Sequence, residues 1–527
     1  MISLFHHIIS AFILISLLFV GCGKGGGWVQ QKDLARNEGI LVVGNGPEIE
    51  SLDPAFSSGI SAIQIEQAVF EGLVGSDPHD LSPIPAVAER WEVSPDGKTY
   101  RFYLREDARW SDGHAVTASD FLFGWTRMLY GAEGGGMNAS LFFLIRGAKE
   151  YSESGKLSVL GVRVVTDRVL EVQLAYPAPH LLNLLAHPAF SPIPEHHLRH
   201  LKDPRSWTSA GAFVGNGPFV VKDWRPNEVL EVERNPYYWD RKQVRLNGIR
   251  FLPIDDAGAE ERAFLAGQLH VTETIPAARV NAYQGDQASI FRSDPYLGVY
   301  YVLLNHRVQP LDDVRFRRAL SAAVKRTLIC EKLLGAGQQA ALTFTPQGME
   351  SYEPPVVRFE LSEQKWSRSK MSYLFNTSDD HRKIGEALGQ MWTSVLGQGV
   401  FLENVEFSTY LSRRSLGDFE MARASWIADY ADPTSFLDIW KSDGMASEWA
   451  GWSSIEFDQK MNEAALSTDA AERLQHLVEA ETILLEAAVM IPIYHYVANY
   501  LIQPEVDGWN PTVLDWHPWK FVGFKEP

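Results

Sequence analysis

Hydrophobic and polar residues alternate along several short stretches of the chain, a pattern typical of strands with one buried face. The stretches Thr99–Glu106 and Arg168–Tyr176 show it, and so does the segment Glu228–Trp239, which runs into a turn. Asp96 and Gly97 precede the first stretch, and an Asp-Gly pair is typical of hairpin turns. The first half of the chain is therefore predicted to be rich in strands and turns.

Other segments place apolar residues three and four positions apart, which predicts amphipathic helices. These segments are Asp313–Leu334, His381–Leu396 and Asp469–Val489. The polar run Asn376–Asp380 before the second segment can cap a helix. Strand-like and helix-like patterns alternate in the second half, which suggests a doubly wound unit, so the predicted fold class is α/β.

The composition is that of a globular protein and limits the possible functions. The chain has 527 residues, which at about 100–200 residues per domain predicts two to four domains. The net charge of −18 argues against a nucleic-acid partner, because binding phosphates takes a surplus of Lys and Arg. The two cysteines, Cys22 and Cys330, are too few for a disulfide framework or for a zinc site built on cysteine pairs. Cys330 is expected to be a small buried hydrophobe.

The N-terminus carries an export signal. The apolar run Ile8–Val20 is too short to span a bilayer, which takes about 20 residues. It leads into Gly21 and Cys22, which resembles a bacterial lipoprotein signal, although no Lys or Arg precedes the run. The resemblance implies that residues 1–22 form the signal with a lipidated Cys22, and that residues 23–27 are a glycine-rich tether. The alternative is an ordinary secretory signal with a chance cysteine; both export the protein to the periplasm or to the outer face of the cytoplasmic membrane.

One acidic residue stands out by its surroundings. Asp429 lies in the stretch Ser425–Phe436, close to Trp426 and Tyr430 and among few solubilising charges. A buried charge without a partner is costly, so this carboxylate is expected to have one. The partner is either another residue or a ligand.

The segment Ala88–Met128 resembles the signature of the peptide/nickel class of extracytoplasmic solute-binding proteins, the receptors of ABC importers. The similarity rests on Trp110–Gly113, Val116–Ala118, Asp120, Phe121 and Trp125. Further segments resemble the oligopeptide-binding branch of this class, and together they cover the mature chain: Asn216–Asp240, Asp313–Leu320, Asn376–Lys383 and Met421–Leu437.

The resemblance implies a two-lobed periplasmic-binding-protein-like fold of the large three-domain type II class, with a hinge and a ligand cleft between the lobes. The first lobe would contain domains I and II, and the second lobe would be domain III. Domain I would comprise residues 28–71, 189–298 and 498–527. Domain II would comprise residues 72–188, and domain III residues 299–497. The lobes would close on a ligand because contacts made in the closed state alone shift the population toward it.

The same resemblance implies how a peptide is held at its two ends. Asp429 would pair with the α-ammonium of the peptide, while a structural ion pair is the competing interpretation, and that second role suits Asp432 better. His381, Arg414 and Arg423 match positions that meet the peptide carboxylate at different ligand lengths, and guanidinium groups bind carboxylates bidentately.

The backbone of the peptide would be bound as an added strand, so that its side chains would not be specifically recognised. The matching positions are Ser58, Gly59, Ile60, Ser425, Trp426 and Ile427, and the aromatic walls would be Trp426, Phe407 and Tyr301. The chain departs from the family pattern at several positions. Gly298 and Ile427 replace a disulfide, Ser425 replaces a glycine, Phe407 replaces a tryptophan, and Leu303 replaces a pocket acid.

An enzyme is the first alternative. His196 and His200 are four residues apart, as metal ligands on a helix can be, but the His-Glu-x-x-His order of metalloproteases is missing. The sequence has no Gly-x-Ser-x-Gly elbow and no nucleotide-binding Gly-x-x-x-x-Gly-Lys-[Ser/Thr] loop.

Two further alternatives keep the fold. The ligand could be a nickel complex, haem, a cell-wall peptide or glutathione, or the protein could be a surface lipoprotein without a transport role. We predict a monomeric, non-enzymatic receptor without cofactor or metal, which binds oligopeptides, docks on ABC permease subunits and is held at a lipid membrane through Cys22.

Overall fold

The computed structural model of the protein describes residues 31–57, 59–130, 135–201, 204–284, 288–349, 351–361, 366, 371–397 and 399–526. Cys22, the tether and Ser58 lie outside the described residues, so the expectations for them stay predictions. Within the described residues, no helix combines the length and the apolar character that crossing a membrane requires.

The strands and helices alternate irregularly along the chain. The strands are β1 Ile40–Gly44, β2 Val74–Ser76, β3 Pro83–Pro85, β4 Ala88–Val93, β5 Thr99–Leu104, β6 Val162–Thr166, β7 Val169–Gln173, β8 Phe219–Arg225, β9 Val229–Arg234, β10 Gly248–Leu252, β11 Phe291–Leu304, β12 Gln339–Ala340, β13 Ser372–Asn376, β14 Phe401–Val405, β15 Met421–Ile427, β16 Met490–Leu501, β17 Val506–Asp507 and β18 Gly523–Phe524. The α-helices are α1 Gln31–Asn37, α2 Ile60–Val69, α3 Ala118–Leu129, α4 Ala148–Ser154, α5 Leu181–Leu184, α6 Glu195–Leu198, α7 Ala257–Leu265, α8 Val280–Tyr283, α9 Val314–Ala323, α10 Arg326–Leu328, α11 Asp379–Leu396, α12 Phe407–Ser415, α13 Thr434–Leu437, α14 Met445–Ala450, α15 Ile455–Leu466 and α16 Ala470–Glu486.

Three sheets organise the described part of the chain. The first has the strand order β1-β10-β9-β8, the second β4-β5-β7-β6, and the third β12-β16-β11-β15-β13-β14. The third sheet is buried on both faces. Along its central strand β11, alternate residues enter two different cores, with Val299, Tyr301 and Leu303 on one face and Tyr300, Val302 and Leu304 on the other. This explains why β11 is nearly continuously apolar from Leu297 to Leu304 rather than alternating.

The long strands β11 and β16 connect the first and third sheets. Their lower ends pair at Phe291 and Leu501, in a small core that also contains Val42 of β1. Their upper ends lie inside the third sheet, and the register between them is interrupted between Pro295 and Val299. The boundary between domains I and III is expected at residues 298 and 299, so the interruption lies where a hinge is expected.

Several local predictions are confirmed. The strand predictions over Thr99–Glu106, Arg168–Tyr176 and Glu228–Trp239 are confirmed by β5, β7 and β9, and the hairpin turn contains Gly97 at φ 67°. Helix α11 begins after Ser378, whose hydroxyl accepts a hydrogen bond from the backbone of His381, as the capping run predicts. Cys330 is buried, as expected, and burial raises the pKa of its thiol to about 11.

The predicted single helix over Asp313–Leu334 is wrong. Helix α9 ends at Ala323, Val324 is extended, and the chain resumes as α10 and a π-helical segment at Ile329–Leu334. The guanidinium of Arg326 donates to the carbonyl oxygens of Ser321 and Val324 at this break, and the Ser321 carbonyl also accepts from the N–H of Val324 at 3.3 Å. The doubly wound expectation is also too simple, since β13 is parallel to β14 and β15 whereas the other neighbours in the third sheet are antiparallel.

Candidate functional site

The outer edge of β15 is a free backbone edge. Strand β13 pairs with β15 at Met421 and Ala422, and from Arg423 onward no described strand pairs with this side. On the other side, the N–H of Ala428 donates to the carbonyl of Leu297 at 2.9 Å. Because bonded residues alternate in an antiparallel pair, the N–H and C=O groups of Ser425 and Ile427 point away from β11. An extended chain could therefore add here as a strand.

Asp429 lies just beyond the end of β15. Its backbone N–H donates to the hydroxyl of Ser435 at 3.0 Å, and the carbonyl of Ser435 accepts from the indole of Trp426 at 2.6 Å. The side chain is partly buried, and burial raises the pKa of its carboxyl from 3.8 to about 6. None of the described residues donates a hydrogen bond to this carboxylate or forms an ion pair with it. A partly buried acid is thus held without a partner among the described residues.

Asp432 shows the opposite arrangement three positions later. Its two carboxylate oxygens accept from the guanidinium of Arg473 at 2.8 and 3.0 Å, and one oxygen also accepts from the hydroxyl of Thr434. Burial alone would raise the pKa of Asp432, but the charges of Arg473 and His180 and the hydrogen bonds from Arg473 and Thr434 together outweigh it, and the pKa falls to about 2. Arg473 also contacts His180, whose ring stacks on Tyr430. Asp432 is therefore a structural residue, as the sequence analysis suggests.

Tyr296 on β11 lies among acidic groups from different parts of the chain, and Asp429 is one of them. The pKa of Tyr296 on β11 is raised by burial and then by the charges of Asp515, Glu273 and Asp429, which places these groups around one phenol. Burial and neighbouring acids raise the pKa of Glu273 to about 7. Glu273 and Asp515 belong to the expected domain I and Asp429 to domain III. This acidic end, defined by Asp429, Glu273 and Asp515, suits a cationic group between the lobes.

Arg423 is the first of two guanidinium groups at the other end of β15. It is buried, its Nε donates to Asn376 Oδ1 at 2.8 Å, and its Nη1 donates to the hydroxyl of Ser425 at 3.1 Å. Its guanidinium carbon lies 4.9 Å from the ring centre of Tyr410. No acidic side chain among the described residues forms an ion pair with it, so a buried positive charge remains without a counter-ion.

Arg414 on α12 is the second guanidinium. Its carbon lies 5.3 Å from the ring centre of Tyr410 and 4.3 Å from that of Trp449, and its Nη1 donates to the Tyr410 hydroxyl at 3.3 Å. Its Nε is buried without a hydrogen-bond partner. The neighbouring Arg413, by contrast, is paired with Glu403 and Asp418. The described acids thus neutralise Arg413 and leave Arg414 available to an anion.

His381 lies close to the same group and is uncharged at neutral pH. Burial, followed by the positive charge of Arg423, lowers the pKa of its imidazole to about 4. Its Nδ1 is 3.4 Å from the hydroxyl of Tyr300. The cation expected at this position is therefore a neutral imidazole, which can still donate or accept a hydrogen bond.

The three expected aromatic walls differ in exposure. Phe407 is half exposed and stacks on Tyr410, and Trp426 is partly exposed beside the free edge. Tyr301 has 1% of its surface exposed and packs against Phe344 and Trp440. The interpretation of Tyr301 as a wall is corrected for this structure, because its ring belongs to the core beneath the sheet.

Gly59 and Ile60 lie apart from the other predicted residues. Both are exposed at the start of α2, and Gly59 has a φ of 86° with open space around the position of a Cβ. No hydrogen bond or ring contact of the described residues joins them to β15. Their role in binding a peptide backbone would require the first lobe to approach β15 across the cleft.

Gly298 and Ile427 are direct register partners across β11 and β15. This is the geometry that a disulfide at the matching family positions would need. A Cβ on Gly298 would come within 2.4 Å of the Ile427 Cδ1 atom, so the isoleucine side chain fills the space that the glycine leaves. Packing replaces the covalent link at this position.

Two contributing residues, Tyr410 and Ser435, are absent from the sequence-based site. Tyr410 lies between Arg414 and Arg423 and donates from its hydroxyl to the Arg423 carbonyl at 2.5 Å. Ser435 ties Asp429 and Trp426 together. The four-residue spacing of Tyr410 and Arg414 on one helix face is the signal that could have indicated the first contact; nothing in the sequence indicates the second.

The alternative of a metal pair at His196 and His200 finds no support in the described residues. Helix α6 ends at Leu198, so the two residues do not share a helical face. His196 instead contacts Asp112 at 2.7 Å, and His200 is exposed.

Comparison with known proteins identifies relatives over nearly the whole chain. The family model described as bacterial extracellular solute-binding proteins, family 5 Middle, matches residues 82–448. The chain is 33% identical over 529 residues to the periplasmic oligopeptide-binding protein OppA of Salmonella typhimurium, with 95% of each chain covered. It is also 33% identical over 488 residues to the probable deoxycholate-binding periplasmic protein YgiS of Escherichia coli, covering 87% of this chain and 88% of that one.

A solved structure extends the similarity to the fold. The murein tripeptide-binding protein MppA of Escherichia coli matches with a TM-score of 0.80 and 32% identity, over 93% of this chain and 99% of that chain. The chain therefore has the α/β periplasmic-binding-protein fold that the sequence analysis expects.

Proposed function

This chain belongs to the bacterial extracellular solute-binding proteins of family 5, and we propose that it is an exported receptor that binds oligopeptides and delivers them to an ABC permease. Proteins of this family are non-catalytic receptors, so ATP hydrolysis would take place on partner chains. The peptide would be recognised by its two termini and by its backbone, with little reading of side chains.

The unpartnered carboxylate of Asp429 carries this proposal. The backbone N–H of Asp429 is held by the Ser435 hydroxyl, while the carboxylate has no cation among the described residues, although the nearby Asp432 is fully paired. The α-ammonium of a peptide supplies the missing charge and three donors. A charge-assisted hydrogen bond of this kind contributes about 1.5–3 kcal/mol to binding.

The free edge and the two arginines support the remainder of the ligand. Ser425 and Ile427 offer outward backbone groups between Asp429 and Arg423, which lies six positions earlier. At about 3.3 Å per residue, six positions span at most about 20 Å. A short peptide of up to about six residues can therefore reach from the acidic end to the guanidiniums.

The test is a thermal-shift titration with a pool of peptides of two to six residues, compared with the same pool after N-acetylation. A ligand that binds the native state raises its Tm. We expect stabilisation by the free-amine pool and none by the acetylated pool. Equal stabilisation by both pools would refute the ammonium anchor, and no effect of either would refute peptide binding.

A cell-wall peptide is the second candidate. Arg414 and Arg423 lie within 5.3 Å of the same ring centre and have no acidic partner among the described residues, and a ligand with several carboxylates would use both. The similarity to the murein tripeptide-binding protein points the same way. Competition between a wall tripeptide and an unmodified tripeptide for one site distinguishes the two candidates.

We further propose that the protein is anchored by lipid at Cys22 and bends at the β11–β16 crossing. The apolar run Ile8–Val20 before Gly21 and Cys22 supports the anchor, and the register interruption between Pro295 and Val299 supports the hinge. A Cys22→Ser variant should move from the membrane fraction to the soluble fraction. Unchanged membrane association of this variant would refute the lipid anchor.

A further inference from the structure

We propose that Asp112, His114 and His196 form a binding site for a divalent transition-metal ion, with zinc as the reference ion. These residues lie on the signature turn and on α6, away from the acidic end and the arginines. One donor atom of each residue lies within 4.8 Å of the other two. This site does not depend on the identity of the peptide ligand.

The distances fit a metal that replaces two hydrogen bonds. His196 Nε2 is 2.7 Å from one carboxylate oxygen of Asp112, and His114 Nδ1 is 3.2 Å from the other. Zinc binds such nitrogen and oxygen atoms at about 2.0–2.2 Å, so tetrahedral ligand atoms lie about 3.4 Å apart. The His114 contact already has nearly this spacing, and the His196 contact must open by about 0.7 Å.

The backbone holds the ligands in place. The N–H of His114 donates to the Asp112 carboxylate at 3.1 Å, and the N–H of Gly113, at φ 89°, donates to the carbonyl of Trp110 at 2.9 Å. The Ser111 N–H donates to the carbonyl of Gly215 at 2.8 Å. Such supporting bonds to a ligating carboxylate fix its orientation and strengthen metal binding.

Asp120 joins the two segments that supply the ligands. Its buried carboxylate accepts from the indole N–H of Trp110 and from the backbone N–H of Glu195, each at 3.4 Å. The turn with Asp112 and His114 and the start of α6 with His196 are therefore set against each other by a common acceptor. In a preformed site of this kind, less of the binding free energy is lost in ordering the ligating side chains.

The ligand set and its exposure indicate the class of ion. Two imidazoles and one carboxylate suit zinc and neighbouring ions, whereas calcium and magnesium prefer oxygen ligands. The His114 side chain is 66% exposed and that of His196 30% exposed, so an ion can enter directly and keep water as a further ligand.

The site would connect two parts of the same lobe. Asp112 and His114 belong to the expected domain II, and His196 belongs to domain I. A metal bound here would link domain I to domain II without crossing the cleft to domain III. We therefore expect zinc to raise the Tm of the protein and to leave its peptide affinity unchanged.

The experiment is a calorimetric titration of the purified, tag-free protein with zinc chloride after removal of metal by a chelator. His114→Gln and His196→Gln are compared with His200→Gln, which removes an exposed histidine four positions from His196. We expect binding of one ion per chain, an affinity at least tenfold weaker in each of the first two variants, and no change in the third. The rise in Tm with zinc should be lost in the same two variants.

Two results would overturn the proposal. The first is the absence of saturable binding up to millimolar zinc. The second is an unchanged affinity in the double variant His114→Gln/His196→Gln, which would place the ion elsewhere. Peptide titrations of the same variants verify that they are folded, because neither histidine lies near Asp429 or the arginines.

Discussion

Replacing Asp429 by asparagine should stabilise the empty protein and weaken peptide binding. Burial raises the pKa of Asp429 from 3.8 to about 6, so the folded protein resists its ionisation. The contribution of the protonated Asp429 carboxyl to the free energy of unfolding is fully present below pH 3.8, and it is lost as the pH rises through about 6. The shift of about two pKa units corresponds to about 3 kcal/mol, and we take about 1–3 kcal/mol because the carboxylate keeps some contact with water.

The expected change in Tm is small but has a distinctive pH dependence. Unfolding entropy of about 2.1 cal/mol/K per residue gives a chain of this size about 1 °C per kcal/mol. Asp429→Asn should therefore raise the Tm of the empty protein by about 1–3 °C at pH 7, and the difference should vanish near pH 4. Peptide affinity should fall about 10- to 150-fold, which is the ratio that corresponds to 1.5–3 kcal/mol.

Asp432→Asn is the matched control, since it makes the same chemical change three positions away. It leaves the buried Arg473 without its partner, so the Tm should fall by about 3–5 °C. Thermal unfolding of the wild type and both variants between pH 4 and pH 8 separates the two cases, and calorimetry with one tight peptide measures affinity. A loss of stability in Asp429→Asn at pH 7, like that of the control, would refute the reasoning and make Asp429 a structural residue.

Three further predictions test the site and the sheet. Arg414→Gln should weaken the binding of peptides with a free carboxylate by about tenfold or more relative to their amides in calorimetric titrations, because no acid among the described residues neutralises this guanidinium. Arg413→Gln should not do so, and an equal loss in both variants would indicate a general charge effect. Peptide affinity should fall by up to about tenfold per pH unit as the pH drops below 6, because Asp429 must be ionised to pair with an ammonium. A similar fall of affinity in the Asp429→Asn variant would assign the titration to another group. A Gly298→Cys/Ile427→Cys variant should form a disulfide and gain up to about 4–5 kcal/mol, seen as a rise in Tm that a reductant reverses; free thiols in the native protein would contradict the register.

Short-range patterns predict the elements whose partners are near in sequence. The hairpin at Gly97 and the cap at Ser378 follow from local turn and capping chemistry, and both are present. The break after Ala323 could not be predicted in this way. Arg326 also donates to the carbonyl of Pro492, a contact between residues 166 positions apart. The apolar spacing continues through residue 334 and therefore predicts an unbroken helix, because a local pattern carries no information about an acceptor so distant in the sequence.

The same limit applies to the candidate site. Sequence spacing does not distinguish Asp429 from Asp432, because both are acids in one apolar stretch. Arg473 makes the difference, and it lies 41 positions beyond Asp432. The free edge of β15 depends likewise on where β13 ends, and the metal ligands His114 and His196 meet only in the folded chain. The resemblance to a family identified Asp429, and the contacts explain why it is available.

The placement of the anchors has a consequence for closure of the lobes. Asp429, Arg423 and the free edge belong to one strand and its end, and Arg414 lies on the adjoining helix α12. The distance between the acidic anchor and the guanidiniums is therefore set within the third sheet and does not change when the hinge moves.

Under the proposed function, a peptide would acquire its register on this sheet, and Glu273 and Asp515 would approach its ammonium end as the first lobe closes. Only this second step depends on the hinge, because a ligand favours the closed state through the contacts that are made in the closed state alone. A change at the hinge should thus alter affinity for all peptides by one factor, whereas a change at Asp429 or Arg414 should alter it according to which terminus is free.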